Sequence, residues 1–179
     1  MIEAEVKVPV NNLALVRKLL KKSGAVRVGK AEEMDVYFSH PSRNFMLTDE
    51  ALRIRRVSHG EGSITYKGPK FRPRTKTRIE INIPVSDPDS LEGMLKSLGF
   101  SPLIKIVKKR EKWRIGNVNV YLDEVRSLGK FVELEATVND ALNLDHVEKR
   151  LFSILGQLGL DPNLSTRKSY LELMMNKTP

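Results

Sequence analysis

Residues 3–10 alternate strictly: Glu3, Glu5 and Lys7 point one way, and Ala4, Val6 and Val8 the other. That two-residue period belongs to a strand with one face buried. After a short polar link the period lengthens, and Leu13, Val16 and Leu20 mark one face of a helix that stops at Gly24. The same strand-then-helix unit returns at residues 78–85, where Arg78 and Glu80 oppose Ile79 and Ile81. It is followed by Leu91, Met94, Leu95 and Leu98, and by Gly99. Glu5 and Glu80, Pro9 and Pro84, and Gly24 and Gly99 all share a 75-residue offset, which reads as an internal repeat. A looser third copy has Glu133 and Glu135 in a strand, then Leu144, Val147, Leu151, Ile154 and Leu158, ending at Gly159. Glycine suits the left-handed residue that ends a helix. Proline suits a strand exit, because it cannot donate to a ladder.

Other strand patterns lie between the copies. Residues 36–38 form a short β-prone piece, and 51–57 and 63–67 flank His59, Gly60, Glu61 and Gly62 as a hairpin loop. Residues 76–84 predict the next strand, 104–115 and 118–125 a hairpin around Gly116 and Asn117, and 132–138 the last strand. The basic, proline-containing stretch 68–74 predicts a mobile loop and a candidate lid, and 165–175 a final helix. There is no linker or low-complexity tract, so residues 1–179 are expected to form one domain. Roughly eight strands and four helices, dominated by antiparallel hairpins, predict an α+β fold whose strands can close into a barrel with surrounding helices.

The charged positions then share faces. Arg53 and Arg55 oppose Leu52 and Ile54, Lys67 opposes Tyr66, Lys108 and Arg110 share a face, Asp123 opposes Leu122, and Glu133 and Glu135 oppose Val132 and Leu134. Any one such face reads as solvated sheet. A sheet in which nearly every strand carries a charged pair, while the helices need only its other side, reads better as a barrel with a polar interior. Carboxylates two apart on a strand are ~6.6 Å apart along the backbone, so two pairs could converge on a divalent ion. Oxygen ligands without His or Cys favour Mg2+ or Mn2+.

Composition narrows the chemistry further. The absence of Cys excludes disulfides, thiolate metal sites and Cys catalysis. His40, His59 and His146 are scattered without ligand-like partners. No apolar run approaches the ~18 residues of a membrane span, and the first residues have no signal-peptide pattern, so no membrane partner and a cytoplasmic location are expected. Lys and Arg number 31 against 22 Asp and Glu, and the net charge of +9 points to a polyanionic partner. The interleaved carboxylates argue against a nucleic-acid partner, because they would repel a phosphate backbone. With aromatics at 6%, stacking on bases is also poorly served.

Taken in order, these residues resemble a known family. Glu3-x-Glu5-x-Lys7, Asp35-Val36-Tyr37-Phe38, Leu52-Arg53-Ile54-Arg55, Thr65-Tyr66-Lys67-Gly68-Pro69, Arg78-Ile79-Glu80, Lys108-x-Arg110 and Leu122-Asp123-Glu124 come first. Phe131-Val132-Glu133-Leu134-Glu135 and Ser169-Tyr170 complete the set. The chain is similar to the CYTH, or triphosphate tunnel metalloenzyme, superfamily, and most to its class IV adenylyl cyclases, with thiamine triphosphatases as the other branch. The resemblance implies a closed eight-stranded antiparallel tunnel, dependence on Mg2+ or Mn2+, ATP or another triphosphate compound as substrate, and a homodimer. It implies Glu3, Glu5, Glu133 and Glu135 as metal ligands and Arg53, Arg55, Lys67, Arg78, Lys108 and Arg110 as phosphate-binding residues. Lys7 and Asp123 would take catalytic positions, with Glu80 paired to a cation or on the metal. The expected reaction is ATP to cyclic AMP and pyrophosphate, the alternative hydrolysis of a triphosphate. Removing Arg55 or Lys67 is expected to weaken triphosphate binding more than it lowers stability.

Overall fold

A computed structural model describes residues 2–58, 62–138 and 141–177. Its strands are β1 (Ile2–Val10), β2 (Val26–Ser39), β3 (Ala51–Val57), β4 (Gly62–Lys67), β5 (Arg78–Val85), β6 (Ser101–Ile115), β7 (Val118–Val125) and β8 (Gly129–Val138). Its helices are α1 (Leu13–Lys22), α2 (Pro88–Ser97), α3 (Leu144–Gln157) and α4 (Tyr170–Met175). The strands close into an antiparallel barrel in the order β1-β5-β4-β3-β2-β6-β7-β8. The α+β tunnel architecture expected from the alternation is the architecture found.

The three strand-then-helix units are β1–α1, β5–α2 and β8–α3. Gly24, Gly99 and Gly159 all have positive φ, as a left-handed helix end requires. The outward apolar positions of β1, β7 and β8 form the main core with α1 and α3, through Val6, Val8, Leu20, Val120, Leu134, Leu151 and Leu155. Trp113 lies in the same core. On the opposite side, α2 covers Val36, Phe38 and Ile54 through Leu95. With both apolar faces turned outward to helices, the charged faces have only the barrel interior left.

Three expectations change. β2 is far longer than residues 36–38. Its first half is largely exposed, so no apolar alternation marks it, and pairing with the 15-residue β6 makes it a strand. The last helix begins at Tyr170, five residues later than 165–175 predicts. Ser169 starts it with a reciprocal capping box to Glu172. The stretch 68–74 is tied down by ion pairs: Lys70 to Asp49 and Glu172, and Arg72 to Asp145 and Glu148. The hairpin loop assigned to His59, Gly60 and Glu61 lies outside the described residues.

Candidate active site

Strand register sets the facing pairs inside the barrel. Glu5 stands opposite Glu135, and Lys7 opposite Glu133. Asp35 stands opposite Arg55, Lys67 opposite Glu80, and Arg110 opposite Asp123. These side chains enclose a cavity of about 610 Å³. Glu3, Glu5, Lys7, Arg53, Arg55, Lys67, Arg78, Lys108, Arg110, Glu133 and Glu135 all line it. Asp123 does not. It has no exposed surface and accepts two hydrogen bonds from the Arg110 guanidinium and a third, at 2.8 Å, from the Tyr170 hydroxyl. Asp123, expected in a catalytic position, stands behind Arg110 and holds it.

The β1–β8 wall carries the carboxylates. One Glu5 oxygen accepts from Lys76. The other is 3.5 Å from Lys7 Nζ, buried, and without a hydrogen-bond partner. Glu133 is fully paired, with Lys7 at 3.0 Å and with Arg110. Opposing these two cations, burial would push the Glu133 carboxyl up, but they hold it well below the usual range. Among the described residues, the one hydrogen bond to Glu135 comes from the Tyr121 hydroxyl, at 3.3 Å. Burial, followed by the charges of Glu3 and Glu5, pushes it up to about 8. Glu3 is also raised, chiefly by burial and against the pull of Lys67. Glu80 settles on Lys67 as a cation partner.

The β2–β3–β6 wall carries cations around two buried acids. Arg55 grips Asp35 with two hydrogen bonds of 2.7 and 2.8 Å and approaches Glu33 at 3.0 Å. Lys108 Nζ lies 2.6 Å from Asp35 and 3.1 Å from Glu33. Burial opposes ionisation of Glu33, yet Arg110, Arg55 and Lys108 together hold it at about 2. Lys108 is itself lowered to about 8, by burial first and by the neighbouring Arg55 second. Arg53 Nε on β3 and Arg78 Nε on β5 are buried without hydrogen-bond partners, so the cationic part of the lining has donors to spare.

Sequence reasoning passed over Lys76, Glu33, Asp35 and Tyr121 as site residues. Lys76 shares the alternation of Arg78 and Glu80. Its backbone N–H bonds the Glu5 carbonyl at 2.9 Å, which carries the inward face two residues beyond the end of β5. Asp35 and Glu33 alternate with Tyr37 in the buried half of β2, just before and at the edge of the 36–38 piece. Conversely, Lys70, Arg72 and Arg74 of the candidate lid do not line the cavity.

Among the described residues, no three Asp, Glu or His side chains are already gathered as a metal cage. The donor set nevertheless fits a hard divalent cation. It is all oxygen, Glu3, Glu5 and Glu135 repel one another, and Glu5 keeps a buried oxygen free.

A closed barrel lined by opposed acidic and basic walls defines the class of triphosphate tunnel proteins. The chain belongs to the CYTH family, whose domain matches residues 1–170. A Methanocaldococcus jannaschii protein described as a candidate adenylate cyclase is 39% identical over 97% of this chain and 98% of its own. A Pyrococcus horikoshii protein of known structure superimposes with a TM-score of 0.89 at 38% identity, over 98% of this chain and 99% of its own. A Hippeastrum protein described as a candidate adenylyl cyclase with a dominant triphosphatase activity shares the fold. Its TM-score is 0.69 at 15% identity, over 99% of this chain and 96% of its own.

Proposed function

We propose that this chain is an adenylyl cyclase that holds ATP by its triphosphate inside the barrel and forms cyclic AMP and pyrophosphate, with Mg2+ or Mn2+ as cofactor. The observation that carries the reading is the excess of like charge on each wall: carboxylates on β1–β8, and unpartnered Arg donors on β3 and β5. One excess calls for a cation and the other for a polyanion, and a metal–triphosphate complex answers both. Glu3, Glu5 and Glu135 would hold the ion, whose charge would offset that of the phosphate oxygens. Glu133, already paired, instead orients Lys7 and Arg110. Arg53, Arg55, Lys67, Arg78, Lys108 and Arg110 bind phosphate oxygens, with Arg suited to bidentate contact. Fixing the triphosphate in this way presents the α-phosphorus to the ribose 3′-hydroxyl in line with the departing pyrophosphate. No water is consumed, and the hydroxyl proton is released.

The name of the M. jannaschii relative supports the cyclase reading. Hydrolysis at the terminal phosphorus is the second reading, because cations on five of the eight strands could grip a triphosphate in more than one register. The description of the Hippeastrum protein, which shares the fold, supports this second reading. Nucleotide chromatography beside an orthophosphate assay, with ATP under each metal, separates the two. Cyclic AMP and pyrophosphate in equal amounts are expected; ADP and orthophosphate without cyclic nucleotide would establish the triphosphatase. The expected homodimer would form in the cytoplasm through the outer face of β5. There Ile79, Ile81 and Ile83 are 52%, 54% and 55% exposed in a row.

A further inference from the structure

Beside the tunnel lies a second chamber of a different character. Its volume is about 490 Å³, and Tyr37, His40, Phe45, Met46, Leu103 and Leu171 form much of its wall. Tyr37, Phe45, Met46 and Leu171 also line the charged cavity, so the two spaces share a wall at one end of the tunnel. The chamber is built largely by residues 40–50, between β2 and β3, and this segment is locked by its own side chains. His40 Nδ1 accepts from the backbone N–H groups of Ser42 and Arg43, both at 3.1 Å. Asn44 Oδ1 accepts from Met46 N–H at 3.0 Å, and Glu50 N–H bonds the Phe45 carbonyl at 2.8 Å. Phe45 is wedged between the His40 ring, 5.3 Å away, and the Arg43 guanidinium, 5.2 Å away. The Glu50 carboxylate is taken up by Thr48, Tyr66 and Arg43, so it presents no free charge to the chamber.

We propose that this chamber receives the nucleobase of a nucleoside triphosphate whose phosphates lie in the tunnel. The proposal rests on the triphosphate reading of the tunnel. Most of the tunnel lining is charged, and four of its aromatic and aliphatic residues, Tyr37, Phe45, Met46 and Leu171, are shared with the chamber. The chamber offers aromatic and aliphatic surface, in a wall ordered before ligand arrives, which lowers the entropic cost of binding. Its position fixes polarity: the base end of the substrate enters beside Phe45 and Leu103, and the phosphates run inward past Arg53. Inorganic tripolyphosphate would fill the tunnel and leave the chamber empty.

The test is calorimetric titration of the whole protein with ATP and, separately, with tripolyphosphate, each with Mg2+. Leu103, 43% exposed and absent from the tunnel wall, can be enlarged without disturbing the core. Leu103→Trp should fill the chamber and Phe45→Ala should remove its aromatic wall. Each is expected to raise the Kd for ATP roughly ten-fold, the effect of about one stacked base. The Kd for tripolyphosphate should stay within about two-fold. Leu103→Trp keeps the test intact should Phe45→Ala loosen the segment around it. Unchanged ATP binding in Leu103→Trp, or an equal loss for both ligands, would overturn the proposal. Wild-type protein that binds tripolyphosphate as well as ATP would overturn it while leaving the tunnel reading standing. Wild-type protein that binds neither would remove the tunnel reading itself.

Discussion

The two walls of the barrel interior solve opposite electrostatic problems. On β1–β8, acids are under-compensated: Glu135 meets Glu3 and Glu5, and its carboxyl rises to about 8. On β2–β3–β6, acids are over-compensated: Glu33 is held at about 2, and the crowded cation Lys108 falls to about 8. Neither wall is balanced alone. The difference teaches that the walls neutralise one another only in part: Arg110 reaches Glu133, while Glu135 stays uncompensated beside Glu3 and Glu5. It also separates residues that hold the site together from residues free to bind. Arg55 belongs to the first kind and Arg53 to the second, although sequence alternation makes them equivalent.

The largest expected effect comes from breaking the acidic wall. Glu5→Gln combined with Glu135→Gln should lower kcat at least ~1000-fold, several kcal/mol of lost charge stabilisation. It should also abolish any thermal stabilisation by Mn2+. The fold should survive, because Gln keeps the side-chain volume and an oxygen for Lys76 to bond at position 5, and Glu135→Gln removes like-charge repulsion. Steady-state kinetics and melting curves with and without Mn2+ check this, and near-normal turnover would sink the acidic wall as the metal site.

Arg55→Ala on the basic wall should act mainly on stability. It strips Asp35 of its bidentate partner and Glu33 of a 3.0 Å contact, leaving two buried acids under-compensated. Breaking a buried pair costs about 3–5 kcal/mol, or a fall in Tm of roughly 10 °C. This reverses the ranking expected for Arg55 from sequence, and an unchanged Tm would restore it. Arg53→Ala is the sharper probe of binding. Its nearest acid, Asp35, is 3.7 Å away and keeps Arg55 and Lys108. Triphosphate Kd should rise roughly ten- to hundred-fold, as for one charge-assisted hydrogen bond, with little change in Tm.

The pH dependence of the basic wall follows from Lys108. Its folded value of about 8 lies below the ordinary 10.5. Between these values the unfolded chain holds a proton that the folded chain has released, so stability rises with pH across this window. The slope from this group is at most about 1.4 kcal/mol per pH unit. Denaturant midpoints of wild type and Lys108→Met from pH 7 to 10.5 isolate it, since other groups titrate alike in both. The variant should lack that rise, and parallel curves would contradict the assignment. The smallest effect is reserved for Arg56, which points outward to Asp89 and Glu92 at 2.6 and 2.8 Å. Arg56→Ala should alter stability by no more than about 1 kcal/mol and leave triphosphate affinity unchanged in the same titrations.

Period-two alternation carried nearly all of the site because a strand residue has only two directions in which to point. Once the helices claimed Ala4, Val6, Leu122 and Leu134, the positions of Glu5, Arg110 and Glu133 followed. Lys76 was equally legible in that alternation and was passed over because it precedes the ion-rich part of its strand. Asp35 was quoted in a motif without a role, because the strand was read only from residue 36 and its face was not assigned. Alternation gives direction but no depth, and only the packing of Arg110 and Tyr170 against Asp123 shows that its carboxylate is taken up by these two side chains.

The sequence by itself determined the strand-then-helix units, the glycine helix ends, the segregation of charge to one face of each strand, and the family. These are local properties, set by side-chain period, by the backbone freedom of glycine and by residues read in order. Tertiary structure alone decided which charges meet. Closure of the barrel put Glu5 opposite Glu135, bringing acids 130 residues apart in the chain into mutual repulsion. It also gave Arg55 two hydrogen bonds to Asp35 while leaving Arg53 Nε without one, and seated the 40–50 segment as a wall beside the tunnel. The physical reason is that charge interactions depend on distance and burial through space. Strand order and register, which residue spacing along the chain does not encode, set both.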